Sequence, residues 1–303
     1  MKKIRCPYGS DDATFANAVR EVKNYYRFAG LKSPYIIKTI DEAVVSDTTG
    51  AKTFYILLPY FERSLQDVLA ANMLENTSMG QADVVKIFVG VLRGVQIMHN
   101  YKKPAGDVSD SDTAEDGAET DAMLHGDEDG GPFSDMAATE MHEWCPYAHK
   151  DIKPANVMIS AEGLPVLVDL GSCSKARITV KSRQQALALT DFAQEHCTLP
   201  YRAPELLDVA TNAEITEATD IWSLGCLLYA CCFGFSPFEK LEIEQGANLT
   251  VAISQGKYHI PADTTGFSDE LIDIIKSCLV LDPTERPSVN ELLDRCLSLP
   301  SSE

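Results

Sequence analysis

Two short segments hold side chains able to do chemistry together. The first is His149-Lys150-Asp151-Ile152-Lys153-Pro154-Ala155-Asn156, which sets a carboxylate, an ammonium and an amide on one loop. The second, Asp169-Leu170-Gly171, follows 18 residues after Asp151 at the end of an apolar, strand-like run, 164–170. A hairpin between them would bring Asp151, Lys153, Asn156 and Asp169 into one cleft. That is the set needed to move a phosphoryl group. One carboxylate (Asp151) orients an attacking hydroxyl and accepts its proton, and a lysine (Lys153) offsets charge on the group in transit. An amide oxygen (Asn156) and a second carboxylate (Asp169) hold Mg²⁺.

Taken singly, each residue has a plainer reading. An isolated Asp-Leu-Gly is usually a turn, and a lone Asn before an apolar run is usually a cap or hairpin residue. Order and spacing change the balance. After Asp169 come Ala203-Pro204-Glu205, then Asp220-Ile221-Trp222-Ser223-Leu224-Gly225, then Arg286. Small-molecule phosphotransferases share the Asp…Asn…Asp core, but the Ala-Pro-Glu, the Asp220 segment and Arg286 argue against them.

The elements that must position these groups can be read in chain order. Residues 1–6 read as a strand and 13–28 as a helix, ended by Gly30 and Ser33-Pro34. Residues 39–45 and 53–58 are β-like runs around a Thr48-Thr49-Gly50 turn. Val84, Phe88, Val91, Val95 and Met98 recur at helical spacing, so 83–99 is an amphipathic helix with a buried stripe. Helical character returns over 182–196, an almost wholly apolar helix is expected over 220–234, and Ser288-Val289-Asn290-Glu291 opens a last helix with a capping box.

Composition sets the bounds. The chain has 303 residues, enough for one large domain or two lobes, and a formal net charge of −19, which disfavours nucleic acid as a partner. Its nine cysteines show no paired metal or disulfide spacing and several lie in apolar runs, as buried thiols of a reducing compartment do. Between Lys102 and Cys145 lie thirteen Asp and Glu, with no Lys or Arg after Lys103. Such a stretch cannot bury enough apolar surface to fold alone, so 102–146 is expected to be a disordered acidic insert. Ser109 and Ser111, set among acids, are candidate sites for an acid-directed kinase.

The ordered series closely resembles the eukaryotic serine/threonine protein kinases. Leu57-Leu58-Pro59-Tyr60-Phe61, Pro165-Val166-Leu167-Val168-Asp169-Leu170-Gly171-Ser172, the helix from Ser182 and Cys197-Thr198 are similar to the Numb-associated kinase family. Within it the likeness is to a myristoylated and palmitoylated Golgi and vacuolar branch. The resemblance implies an α+β, bilobal kinase fold: a partial N-lobe (1–61), the start of the C-lobe (62–101), the acidic insert (102–146) and the rest of the C-lobe (147–299). It implies ATP and Mg²⁺ as cofactors and protein serine or threonine hydroxyls as acceptors, with autophosphorylation, in a cytoplasmic or peripheral Golgi or vacuolar setting.

By the same resemblance Lys2 binds the α- and β-phosphates and pairs with Glu21, with Lys3 as the rival in that register. Leu58, Pro59 and Phe61 line the adenine pocket at the interlobe hinge, together with Met158. Pro59 has no N–H to offer, so a backbone donor to adenine must come from Phe61. Thr198 bridges Asp151 and Lys153, as in serine/threonine-specific enzymes; Asp220 braces the catalytic loop, and Glu205 pairs with Arg286. Two departures stand out: no Gly-x-Gly-x-x-Gly precedes the lysine strand, and no N-terminal lipid anchor is in the sequence, so membrane association is expected only through an anchor outside it. Either the protein starts upstream of this sequence, or this form lacks the cover of its ATP site and acts as a pseudokinase scaffold.

Overall fold

The computed structural model describes residues 1–104 and 142–299. Lys2–Cys6 (β1), Asp41–Ser46 (β2) and Lys52–Leu57 (β3) make an antiparallel sheet in the order β1–β3–β2. Strand alternation decides what faces inward: Phe54 and Ile56 are buried, while Tyr55 and Leu57 between and beyond them are not. Ala13–Ala29 (α1) lies on this sheet, with the Phe15 and Phe54 rings 5.4 Å apart beside buried Ala18 and Cys6. Asp12 caps α1 by accepting the Thr14 N–H at 2.9 Å.

The larger body is mainly helical. It begins with Arg63–Ser64 (β4), Leu65–Glu75 (α2) and Gln81–His99 (α3). The stripe expected on α3 is its buried face: Val84, Phe88, Val91, Val95 and Met98 are all at most 1% exposed. Helix α2 falls where no helix was expected, although its start carries a Ser64-x-x-Asp67 capping box.

The acidic segment does not run in irregular chain from 102 to 146, as expected. Lys102–Pro104 (β5) pairs antiparallel with His142–Trp144 (β6), because backbone groups at the two ends of the insertion satisfy each other. Residues 105–141, with Ser109 and Ser111, lie outside the described residues.

Next come Tyr147–Ala148 (β7), Val157–Ile159 (β8), Pro165–Leu167 (β9), Ser174–Lys175 (β10) and Ile178–Thr179 (β11). Strands β8 and β9 form the anticipated hairpin, extended by β4. The run expected to stay extended to residue 170 ends at Leu167, because Asp169 adopts φ +61°. Arg183–His196 (α4) is the helix expected over 182–196, and Ser182 caps it by accepting the Gln185 N–H. Beyond it lie Glu214–Ile215 (β12), Ala218–Phe233 (α5), Pro237–Gln245 (α6), Leu249–Ser254 (α7), Asp269–Cys278 (α8) and Val289–Leu297 (α9).

Helix α5 is the axis of this body. Fourteen of its residues are buried, from Thr219 to Cys232, and it stops at Gly234, whose φ of +88° a side chain would resist. No single helix among the described residues is long and apolar enough to cross a membrane; α5 and α6 are apolar in sum but meet at a 59° bend.

Two buried ionic groups fasten loops to α5. The Asp220 carboxylate, fully buried, accepts the N–H groups of His149 at 2.8 Å and Lys150 at 2.9 Å, and Nε2–H of His99 at 3.0 Å. The Arg286 guanidinium donates to both Glu205 oxygens, at 2.7 and 2.9 Å, and to the carbonyls of Ala218, Val280 and Leu281. That fork geometry is beyond lysine's reach.

Truncating Arg286 strands the Glu205 carboxylate and three carbonyls, so Arg286→Ala is predicted to cost about 3–5 kcal/mol, with Arg286→Lys recovering little. Urea denaturation midpoints check this, and a loss within error of zero would contradict it. For Asp220, burial by itself raises the carboxyl, but His99, His149 and the Lys150 N–H outweigh it and hold it below the ordinary carboxylate value. A lowered folded-state value means stability present above the unfolded-state value and lost as pH falls through the folded one. Wild type is therefore predicted to lose stability below about pH 4 more steeply than Asp220→Asn, which is already weaker at pH 7. Parallel curves for the two proteins would show that Asp220 is not the group responsible.

Candidate active site

The loop 149–156 leaves β7 and closes with a 3-10 turn, Pro154–Asn156, before β8. Lys150 within it has φ +67°, a left-handed backbone uncommon for a side chain of this size. The loop holds that shape because the N–H groups of His149 and Lys150 both point at Asp220. His149 then braces the other side. Its Nε2–H donates to the Val168 carbonyl at 3.0 Å and its Nδ1 accepts the Asp151 N–H at 3.3 Å, which assigns the tautomer from its partners. Ser172 Oγ donates to the His149 carbonyl at 2.9 Å, so the Asp-Leu-Gly segment is tied to the loop from both directions.

Three of the expected residues meet directly. Lys153 Nζ lies 2.7 Å from Asp151 Oδ2, and Asn156 Nδ2 donates to the same oxygen at 2.9 Å and to the Asp151 carbonyl at 2.8 Å. Thr198 completes the group: its hydroxyl donates to Asp151 Oδ1 at 2.6 Å, its N–H does so at 2.9 Å, and its oxygen accepts from Lys153 at 2.6 Å. The expected bridge between Asp151 and Lys153 is therefore formed.

Asp169 does not touch these three. It is tied to them through the backbone, Val168 N–H to the Asn156 carbonyl at 3.0 Å, and it faces a second cluster. There Lys2 Nζ donates to Glu21 Oε1 at 2.7 Å, to Glu21 Oε2 at 2.8 Å and to Asp169 Oδ1 at 3.1 Å. Burial opposes the Lys2 charge, but Glu21 and Asp169 outweigh it and raise the ammonium above its ordinary value. Burial likewise opposes the Asp169 charge, and Lys2 outweighs it, holding that carboxyl low. The rival, Lys3, points to the other face of β1, its ammonium 5.5 Å from the Tyr55 ring centre.

Next to this pair opens a cleft of about 370 Å³. Leu58, Pro59, Phe61 and Met158 line it with Lys2 and Asp169, as the sequence suggested; Tyr25, Ile37, Tyr60 and Val168 do so as well. Tyr25 had a local signal, one turn after Glu21 on the same helix face. Ile37 had none, since it reaches the cleft through an irregular segment whose N–H bonds the Leu167 carbonyl at 2.9 Å.

The segment after Asp169 folds back as α4. Its Phe192 ring lies 5.1 Å from the Arg20 guanidinium of α1 and 5.3 Å from the Lys150 ammonium. Burial pushes the neighbouring Cys173 and Cys197 thiols up to about 12, so neither is a nucleophile near neutral pH.

Known proteins share this arrangement in sequence. Residues 137–297 match the protein kinase domain family. The chain is 41% identical to serine/threonine-protein kinase ENV7 of Saccharomyces cerevisiae, over 97% of this chain and 80% of that one. It is 32% identical to serine/threonine-protein kinase ppk13 of Schizosaccharomyces pombe, over 97% and 81%. To human serine/threonine-protein kinase 16 it is 42% identical over half of this chain and 49% of that one. With an α+β, two-lobed fold and a family match over more than half its length, this chain belongs to the protein kinase domain family and is a serine/threonine protein kinase.

Proposed function

We propose that this chain transfers the γ-phosphoryl group of ATP to serine or threonine hydroxyls of protein substrates, its own chain included, through the two clusters around Asp151 and Asp169. The observation that carries the reading is their pairing across the Asn156–Val168 backbone bond: one cluster holds a hydroxyl against a carboxylate, and the other holds a lysine beside a cleft.

Asp151 receives the acceptor hydroxyl and takes its proton as the oxygen bonds to the γ-phosphorus and the bond to the β–γ bridging oxygen breaks, releasing ADP. Lys153, 2.7 Å from that carboxylate, offsets charge on the transferring group. The Thr198 hydroxyl bridges Asp151 and Lys153, an arrangement that by resemblance suits serine and threonine as acceptors. Lys2, held by Glu21, would meet the α- and β-phosphates. Leu58, Pro59, Phe61 and Met158, which line the cleft, would contact the adenine.

The donor set suits Mg²⁺. Both amide hydrogens of Asn156 are directed to Asp151, which leaves its Oδ1 as the free ligand, and Asp169 adds a carboxylate. Among the described residues no cluster of three His, Cys, Asp or Glu could hold a metal alone. That matches a hard cation completed by phosphate oxygens and water. When bound, Mg²⁺ neutralises phosphate charge and fixes the nucleotide's conformation.

We place this activity in Golgi or vacuolar trafficking and fusion, with peripheral membrane attachment. The support is the likeness of the 57–61, 165–172 and 182–198 segments to that branch of the Numb-associated kinases.

Purified Asp151→Asn is predicted to incorporate phosphate into a generic Ser/Thr substrate about 10²–10⁴-fold more slowly than wild type, and chelating Mg²⁺ is predicted to abolish incorporation by wild type. Equal rates for the two proteins would reject the assignment of Asp151.

A further inference from the structure

Helix α1 presents Glu21, Asn24 and Tyr25 on one face, at spacings of three and four residues, and all three are at least 96% buried. The Glu21–Lys2 pair accounts for the first of them. Asn24 has no part in the site described so far and Tyr25 enters it only as a wall of the cleft, yet both carry polar groups held in the interior.

Their partners lie on one short piece of backbone. Asn24 Nδ2 donates to the Leu170 carbonyl at 2.8 Å and to the Cys173 carbonyl at 2.8 Å, so both its amide hydrogens are used across a separation of about 146 residues in sequence. Its Oδ1 accepts from Arg27, one turn on, which fixes the amide's orientation. The Tyr25 hydroxyl donates to Glu21 Oε1 at 2.8 Å. The Leu170 backbone is therefore gripped at its carbonyl by Asn24, one residue before the tyrosine that braces Glu21. Its side chain is fully buried.

The residue held just upstream is Asp169, whose φ of +61° a side chain rarely adopts unless its surroundings impose it. Rotating the 169–173 backbone out of this shape would leave two buried carbonyls and an amide side chain without partners. Moving α1 away from the cleft would do the same and would part Glu21 from Lys2. Apolar residues at 24 and 25 could fill the same space, but they would not specify one direction for the backbone.

We infer that Asn24 and Tyr25 are positioning residues: Asn24 latches α1 to the Leu170–Cys173 backbone and Tyr25 braces Glu21, so that the Lys2–Glu21 pair and the Asp169 carboxylate are set for Mg·ATP before it arrives. The inference rests on the phosphoryl-transfer reading for what the latch serves, not for its existence. The latch lowers the cost of ordering the site when nucleotide binds. It acts on nucleotide affinity and not on acceptor binding, since neither residue approaches the Asp151–Thr198 cluster.

Three variants test it: Asn24→Leu, which keeps volume without donors, Tyr25→Phe, which removes one oxygen, and Tyr26→Phe on the exposed side of the same helix as control. Mg·ATP affinity by calorimetry, KM for ATP and for peptide, and hydrogen exchange over 18–28 are read for each. Affinity is expected to fall about tenfold for Asn24→Leu and about threefold for Tyr25→Phe, with faster exchange in α1 and an unchanged peptide KM. Tyr26→Phe should match wild type. A merely structural role would instead reduce the yield of folded enzyme and leave ATP affinity and KM as they were; that result, with exchange also unchanged, overturns the latch. Failure of the phosphoryl-transfer reading looks different: Asp151→Asn would equal wild type in turnover, while calorimetry and exchange would still decide the latch.

Discussion

A single buried carboxylate organises the site. Asp220 sits at the start of the most buried helix of the molecule, where an unpaired charge would be costly to maintain. It is tolerated because three donors converge on it, and two of those are consecutive backbone N–H groups of the catalytic loop. Satisfying that charge forces the loop to turn through Lys150 at positive φ. The turn in turn aims Asp151, Lys153 and Asn156 at one another. The site's geometry thus follows from the demand of one acid for partners, with His149 carrying the constraint on to the backbone before Asp169.

The two clusters differ in how they keep charge in a partly dry cleft. Around Asp151 the carboxylate is balanced by one ammonium and by neutral donors from Thr198 and Asn156, leaving a carboxylate whose surroundings are mostly hydrogen bonds. Around Lys2 one cation stands between two carboxylates, and the pair pulls in opposite directions, raising the lysine and lowering Asp169. An excess of negative charge beside the cleft suits a site whose charge balance is completed by a divalent cation. The charge of the whole chain, −19, says nothing of this local arrangement.

Local patterns carried much of the fold. Helical spacing marked the buried face of α3, helical character marked 182–196, and the capping box at Ser288 marked a helix start that the structure has. Helix α2 escaped because its box uses Asp67 in place of the usual Glu or Gln and its amphipathic pattern is faint. The strand run over 164–170 looked continuous because its residues are apolar apart from Asp169; what ends it is the left-handed backbone at Asp169, just after a carbonyl that His149 takes from nineteen residues away. The β5–β6 ladder was equally illegible, since a segment rich in acids predicts only that it cannot form a core and not that its two ends pair.

For the site, residue types at set spacings along the chain pointed to Asp151, Lys153, Asn156 and Asp169 as a phosphoryl-transfer set, and the resemblance to the kinases added Glu21 with Lys2 or Lys3. The choice of Lys2 over Lys3 needed the pleat of β1 against β3, which sends neighbouring side chains to opposite faces. Ile37 in the cleft, Asn24 on the Leu170 carbonyl and His99 on Asp220 also had to wait for tertiary structure. Each joins segments between about 120 and 150 residues apart, or enters by an irregular loop, and no periodicity along a chain encodes which distant backbone group a polar side chain will meet once both are buried.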